Sequence, residues 1–247
     1  MQNNKAIFNW SGGKDSSLAL YKVLKEDNFN IRYLLTTVSS KYRRISQHGV
    51  REILLEKQAE SIGIPLHKLI MPDNPTMETY NRMMENIFQE FKGQGINYSI
   101  YGDIFLEDLR KYREDRLALV GFKGEFPIWQ LPTGKLVKEF IDLGFKAIVV
   151  CVDERYLDKS FTGREIDESF LKDLPKKVDP CGENGEFHSF VYDGPIFKNP
   201  VAVEKGEIVY RRYVPPERDE TDDTFNCGSN DSSHIATGFW FCDLLSQ

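Results

Sequence analysis

The sequence predicts an α/β protein: a doubly wound parallel five-stranded sheet, followed by a smaller C-terminal α+β domain. Three observations predict it. Short apolar, β-branched runs alternate with helical patterns through the first half of the chain. A glycine-containing loop joins the first strand to the first helix, and after Pro132 the alternation gives way to short strands and turns. Strands separated by helices need crossover connections, which make the strands parallel and put helices on both faces.

The elements follow in order. Residues 6–10 are a short apolar strand ending in glycines, and Leu18, Tyr21 and Leu24 mark the first helix. Residues 31–38 are β-branched and apolar, a second strand. Val50, Ile53 and Leu54 open a second helix, which Gly63 and Pro65 end, and residues 66–70 are the third strand. Met77, Tyr80, Met84, Ile87, Phe88 and Phe91 share one face of a third helix, a stripe expected in the core. Residues 98–101 form the fourth strand, ending in Gly102 and Asp103; a charged helix spans about 107–120, and 125–129 is the fifth strand.

Residues 1–131 thus make one domain and 132–247 another. The second begins with an amphipathic helix (Leu136, Val137, Phe140, Ile141), a strand at 147–152 and a helix around 167–174. Short strands at 187–192, 201–203 and 208–213 follow, then a polar acidic stretch at 217–233, read as a mobile loop, and a returning strand at 235–245.

Composition narrows the function. With 247 residues and 40% apolar content the chain can bury a real core. Its net charge of −6 argues against a general nucleic-acid binder, although Lys41, Arg43 and Arg44 could form a local basic groove. No stretch approaches the ~20 apolar residues of a membrane span. No pair among Cys151, Cys181, Cys227 and Cys242 has zinc or redox spacing, so free thiols in a cytoplasmic protein are expected.

Residues 11–16 read Ser-Gly-Gly-Lys-Asp-Ser, directly between a strand and a helix. Gly12 and Gly13 let backbone amides turn inward, and the unpaired amides and dipole of the helix N-terminus favour an anion at the same place. Ser11 and Ser16 add hydroxyls, Lys14 adds a positive charge, and Asp15 is placed to hold a Mg²⁺ ion bridging phosphates. The plainer alternative is a Gly-Gly turn with Asp15 or Ser16 as helix N-cap. In a sheet of this kind ligands sit at the carboxyl ends of the strands, so Gly102 and Asp103 should lie beside the bound phosphates, unless Asp103 caps the next helix. His48 follows the second strand, where a surface histidine is the simpler reading.

The spacing is neither that of a Walker A loop nor that of the dinucleotide fingerprint. It resembles the pyrophosphate loop of the N-type ATP pyrophosphatases, of the adenine nucleotide alpha hydrolase-like superfamily. There the loop holds the β- and γ-phosphates while AMP passes to a substrate oxygen and pyrophosphate leaves.

A second motif lies at 180–189, Pro-Cys-Gly-Glu-Asn-Gly-Glu-Phe-His-Ser. If 186–192 is a strand, Glu186, His188 and Phe190 share a face, and Glu183 precedes it in a Gly-flanked turn. Such carboxylates can bind a cation or act as a general base, or can simply be solvated turn charges. Cys181 beside His188 is a weaker candidate nucleophile. Together with the loop and with Gly163-Arg164, this motif resembles the diphthine–ammonia ligase family, over about residues 6–197. The matching element is Gly182-Glu183-Asn184-Gly185-Glu186; the family pattern has Gly at 184 and Glu-Thr at 188–189.

The resemblance implies ATP and Mg²⁺, with ammonium and a carboxylate acceptor as the other reactants. That acceptor would be diphthine, a modified histidine of elongation factor 2, where the organism makes it. Lys14, Asp15, Glu183 and Glu186 are then the expected catalytic residues, with Glu183 and Glu186 on the acceptor side. Two alternatives keep the loop but change the outcome: a pyrophosphate-loop enzyme with a tRNA base or small molecule as acceptor, or a nucleotide-binding protein without chemistry.

Overall fold

The computed structural model describes residues 4–45, 49–213 and 237–247. Strand β1 (Asn4–Asn9) leads through the glycine loop into helix α1 (Lys14–Glu26), followed by β2 (Phe29–Ser39), α2 (Glu52–Ile62), β3 (Leu66–Met71) and α3 (Met77–Gly93). Strand β4 (Tyr98–Ile100), α4 (Glu107–Val120) and β5 (Lys123–Glu125) complete the first unit. The strand order is β3-β2-β1-β4-β5 and every pairing is parallel. The chain switches direction between β1 and β4, so the loops after these two strands diverge and open a crevice at their carboxyl ends.

Alternation along the strands explains the double winding. Ala6 and Phe8 face one buried cluster with Leu18, Leu20, Leu54 and Leu55 of α1 and α2. Ile7 faces the other, with Ile87, Phe88 and Phe91 of α3 and Leu117 and Val120 of α4. Half of the expected α3 stripe is therefore core, while Met77 and Tyr80 are only half-buried.

The second unit comprises α5 (Thr133–Asp142), β6 (Lys146–Asp153), a short α6 (Glu168–Asp173), β7 (Phe187–Asp193), β8 (Val203–Tyr213) and β9 (Thr237–Ser246). Its sheet runs β7-β6-β9-β8 and is antiparallel throughout. Its core residues Phe187, Phe190 and Val191 join the α1/α2 side of the first unit in one apolar cluster. Polar ties reinforce this contact. Lys22 of α1 meets Glu139 of α5 at 2.6 Å, and Asp243 of β9 accepts from Arg44 (2.8 Å) and Arg51 (2.6 Å) beside α2.

Two strand expectations need correction. The fifth strand ends at Glu125, because residues 126–129 turn: Trp129 N–H donates to the Phe126 carbonyl at 3.1 Å. Their apolar character serves an aromatic cluster, with Arg110 over both the Phe126 and Trp129 rings at 4.7 Å. The runs at 201–203 and 208–213 are not separate strands, since β8 is continuous from Val203 with an irregularity between Lys205 and Ile208. The three basic residues that could form a local groove each have an acidic neighbour: Arg43 pairs with Glu52, Arg44 with Asp243, and Lys41 lies 3.8 Å from Asp73. The acidic stretch at 217–233, His48 and Cys227 lie outside the described residues. Among the described residues no helix is long and apolar enough to cross a membrane.

Burial alone would raise the Asp243 carboxyl, but its bonds to Arg51 and Arg44 hold it at about 2. A depressed carboxylate stabilises the fold fully above its unfolded value of 3.8 and loses that contribution as the pH falls toward about 2. Asp243→Asn should therefore lower the urea midpoint at neutral pH, by an amount equivalent to about 1–3 kcal/mol. The difference from wild type should shrink progressively below pH 4. An unchanged midpoint at pH 7 would show that the two arginines are equally well solvated without it.

Candidate active site

The loop at 11–16 sits at the switch point and is shaped by backbone geometry. Gly12 takes φ +76°, and a Cβ there would lie 2.6 Å from the Gln58 Oε1 atom. The N-cap of α1 is Gly13, with no side-chain capping bond, so neither Asp15 nor Ser16 closes the helix end. The Gly13 carbonyl accepts from Ser17 N–H (3.0 Å) and from the hydroxyls of Ser16 and Ser17, both at 2.9 Å. Two loop amides are held by hydroxyl oxygens: Gly13 N–H donates to Ser11 Oγ and Lys14 N–H to Ser189 Oγ, both at 3.2 Å. Ser11 and Ser16 hydroxyls are themselves 3.0 Å apart. The loop thus offers amides and hydroxyls around one point at an uncapped helix start, the arrangement that binds phosphate.

Lys14 is only 3% exposed. Its ammonium donates to Asp15 Oδ2 at 2.7 Å and to the Cys181 carbonyl, and lies 5.3 Å from the centre of the Phe187 ring. Burial opposes its charge, but the Asp15 carboxylate keeps the ammonium protonated. The contact with Cys181 joins the two sequence motifs directly.

That turn is built by two carboxylates. Asp179 Oδ2 accepts from the amides of Cys181 (3.0 Å) and Glu183 (3.1 Å). Glu186 is 1% exposed and accepts from the Asp179 and Asn184 amides and from Asn184 Nδ2, all at 3.0 Å. Both oxygens of Glu186, expected on the acceptor side, are engaged by its own turn. Asn184, where the family pattern has Gly, supplies two of those bonds, one of them from its side chain. Glu183 instead reaches across to the first unit, where Oε1 accepts from the Ile104 amide at 2.8 Å. Burial raises its pKa to about 7, and the nearby Asp15 carboxylate adds to the shift.

Gly102 and Asp103 follow β4 on the other wall of the crevice. A Cβ on Gly102 would lie 3.0 Å from the Ser16 backbone, so glycine lets β4 approach the start of α1. Asp103 does not cap α4, whose N-cap is Leu106; it pairs with Arg113 at 2.8 Å, and Arg113 stacks on Tyr101 at 4.3 Å. Burial raises Asp103 and Arg113 opposes the shift.

Cys181 has a buried thiol, pushed up by burial, that donates to the Thr133 carbonyl at 3.4 Å, a poor setting for a nucleophile. Burial lowers His188 to about 4, so it is neutral at pH 7. Phe187 and Ser189 of β7, on the face alternate to Glu186, His188 and Phe190, meet the loop at Lys14. Arg164 pairs with Asp173 at 2.9 Å and lies over Phe161 and Phe170.

Sequence reasoning missed Ser189, Asp179, Arg113 and Gln58. Gln58 carried a signal, since it is a polar residue on the face of α2 that otherwise buries Leu54, Leu55 and Ala59. The others are ordinary surface-type residues in sequence: Arg113 meets Asp103 within the first unit, Asp179 gathers amides of its own turn, and Ser189 reaches the loop through the packing of the two units.

Comparison with known proteins matches the two units separately. A diphthamide synthase N-terminal domain model covers residues 4–123 and a diphthamide synthase C-terminal domain model covers 132–214. The chain belongs to the diphthine–ammonia ligase family. The diphthine–ammonia ligase of Danio rerio is 23% identical over 226 residues, covering 81% of this chain and 86% of that protein. The human diphthine–ammonia ligase is 24% identical over 225 residues, covering 81% and 82%. Among solved structures, a tRNA thiolase from Methanococcus maripaludis aligns with a TM-score of 0.36 and 18% identity over 57% of each chain. The names attached to the family models and to the two ligases identify an ATP-dependent ligase family, and both of its motifs lie in the crevice described above.

The raised Glu183 carboxyl makes a pH prediction. Its ordinary value is 4.5 and its folded value about 7, so the folded state retains a proton that the unfolded chain releases. Its stabilising contribution is present below 4.5 and is lost as the pH rises through 7. Glu183→Gln removes this dependence. The stability of wild type relative to the Gln variant should fall from pH 4.5 to pH 8, measured by urea unfolding; a constant difference would mean that Glu183 ionises normally.

Proposed function

We propose that this chain is an ATP-dependent amidating enzyme that activates a carboxylate as its adenylate and delivers it to ammonia. The acceptor we favour is the diphthine carboxylate of elongation factor 2, by analogy with the named relatives. One observation carries the reading: the buried Lys14 ammonium joins the phosphate loop to the Cys181–Glu186 turn, so the nucleotide motif and the second family motif form a single site.

The chemistry follows from the reactants. Ammonia does not displace oxide from a carboxylate, so the acid must first carry a leaving group. The carboxylate oxygen attacks the α-phosphorus of ATP, the α–β bond breaks, and pyrophosphate leaves. Ammonia then attacks the acyl carbon, AMP departs, and one proton must be removed from the attacking nitrogen. In this scheme Ser11, Gly12, Gly13, Lys14, Asp15 and Ser16 hold the phosphate chain. The loop amides exchange the hydroxyl oxygens of Ser11 and Ser189 for phosphate oxygens, and Lys14 exchanges the Cys181 carbonyl for the departing pyrophosphate, stabilising its charge. Gly102 and Asp103 border the nucleotide.

Glu183, with a carboxyl near neutrality, is suited to take the proton from the incoming nitrogen. Glu186 keeps the turn that aims it.

Among the described residues no group of three or more metal-ligating side chains comes together. Mg²⁺ nevertheless fits, since one or two carboxylates plus substrate phosphates suffice for it. Asp15 would hold it, in a site where Asp103 and Glu183 add negative charge. The ion would neutralise charge on the phosphates. Residues 1–131 thus serve the nucleotide and 132–247 the acceptor, in a protein we place in the cytoplasm.

The test is product analysis with ATP, Mg²⁺, ammonium and an acceptor protein carrying diphthine. AMP, pyrophosphate and the amide should appear together. ADP as product would overturn the reading. Lys14→Ala and Asp15→Ala should each reduce AMP formation by about a hundredfold or more in folded protein. Calorimetry should find ATP bound much more tightly than AMP, because the loop holds the phosphate chain; equal affinities would remove the loop from the site.

A further inference from the structure

The loop's donors are only useful if its peptide planes are held in one orientation, and Gly-Gly sequences hold none by themselves. The peptide between Gly12 and Gly13 is the decisive one. It is planar and trans, so its carbonyl and its N–H point in opposite directions. Whatever grips the Gly12 carbonyl therefore aims the Gly13 N–H. Two donors grip it: Val191 N–H at 2.9 Å and Gln58 Nε2 at 3.0 Å. On the opposite side the Gly13 N–H meets Ser11 Oγ, inside the proposed phosphate site.

Gln58 is well suited to this task. It projects from α2, outside the loop, and is fully buried. Its amide nitrogen also donates to the Val191 carbonyl at 2.6 Å, and its oxygen accepts from the Trp10 indole N–H at 2.9 Å. Its amide orientation is thereby fixed, because a flipped side chain would set two carbonyls against an acceptor and the indole N–H against a donor. Gln58 thus ties the end of β1, the loop and β7 together at one point. The same side chain stands where a Cβ on Gly12 would be.

We propose that Gln58 is a positioning residue for nucleotide binding, acting through the Gly12 carbonyl to direct the loop amides at the phosphates. It does not itself touch the nucleotide. The inference rests on the loop being the ATP site but not on the identity of the acceptor or on any chemical step.

The experiment compares three variants by calorimetry with ATP and with inorganic pyrophosphate, alongside thermal unfolding. Gln58→Met keeps the length of the side chain and removes both donors. Gln58→Glu keeps the acceptor for Trp10 and, when ionised, also removes both donors. Trp10→Phe leaves the donors of Gln58 in place and perturbs the same buried junction, so it serves as the stability control. Both Gln58 variants should weaken ATP and pyrophosphate about tenfold or more, whereas Trp10→Phe should lower the melting temperature yet leave both affinities within about twofold. If affinity follows melting temperature across all three, Gln58 is only a core residue and the proposal fails.

The outcomes also separate this inference from the ligase reading. Wild type that binds ATP tightly but forms no AMP would sink the reading and leave Gln58 testable by affinity. Wild type that forms AMP, with Gln58→Met unchanged in affinity, would sink the inference alone. Wild type that binds neither ligand would overturn both. Should Gln58→Met fail to fold, the Gln58→Glu and Trp10→Phe pair decides the matter in the same way.

Discussion

The buried ammonium of Lys14 is the interaction on which the rest of the site depends. A lysine charge removed from water is costly unless it is paired and hydrogen-bonded. Here Asp15 supplies the opposite charge and the Cys181 carbonyl a further acceptor. The carbonyl is available only because Asp179 and Glu186 fold residues 179–186 into a tight turn, and the turn lies there only because β7 packs its Phe187 and Ser189 against the loop. The ion pair of α1 therefore needs the second unit, and the two units cannot be treated as independent binding modules.

This arrangement also explains how a site for a highly charged ligand persists without it. The loop amides of Gly13 and Lys14 have hydroxyl oxygens as partners, and the ammonium has a carbonyl. Each of these is a neutral acceptor standing where a phosphate oxygen can replace it. Exchange of a neutral acceptor for a charged one strengthens the bond, since charge-assisted hydrogen bonds are roughly twice as strong as neutral ones. The protein keeps its buried donors satisfied yet leaves a gain to be made on binding. Glu183 and Asp103 work the other way: their carboxyls are raised by burial in the same crevice, so in the proposed site a cation bound with the nucleotide would relieve them.

Much of this was legible in the sequence, for identifiable reasons. The parallel sheet is readable because its strands alternate with helices whose apolar faces are periodic, and the place of the loop because its glycines fall between an apolar strand and a helical pattern. The aromatic turn at 126–129 was misread as a strand because an apolar run carries no mark of its backbone direction. Glu183 and Glu186 looked equivalent, two carboxylates in one motif. Only the fold separates them: one is enclosed by three hydrogen bonds of its own turn, and the other crosses to the amide of Ile104. Ser189, Arg113 and Gln58 act across sequence separations of 175, 10 and 46 residues, to partners that no local pattern announces.

The residues of the two motifs and of the loop after β4 divide into those that shape the crevice and those that bring charge to it. Gly12 is glycine because its backbone turns against Gln58, and Gly102 because β4 must come within contact distance of the first turn of α1. Glu186 is acidic because four-residue turns expose amides that a carboxylate can gather. The charged groups left over are Lys14, Asp15, Asp103 and Glu183, drawn from α1, from the end of β4 and from the turn before β7. Lys14 and Asp15 sit on the N-terminal turn of a helix, Asp103 is fixed by Arg113, and Glu183 is fixed by the Ile104 amide. Each is held by an element that the first group has positioned. A substitution in the shaping set therefore moves several charges at once, and so does one at Lys14, which joins Asp15 to the Cys181 carbonyl, whereas Asp103 and Glu183 are each tied to one neighbouring residue.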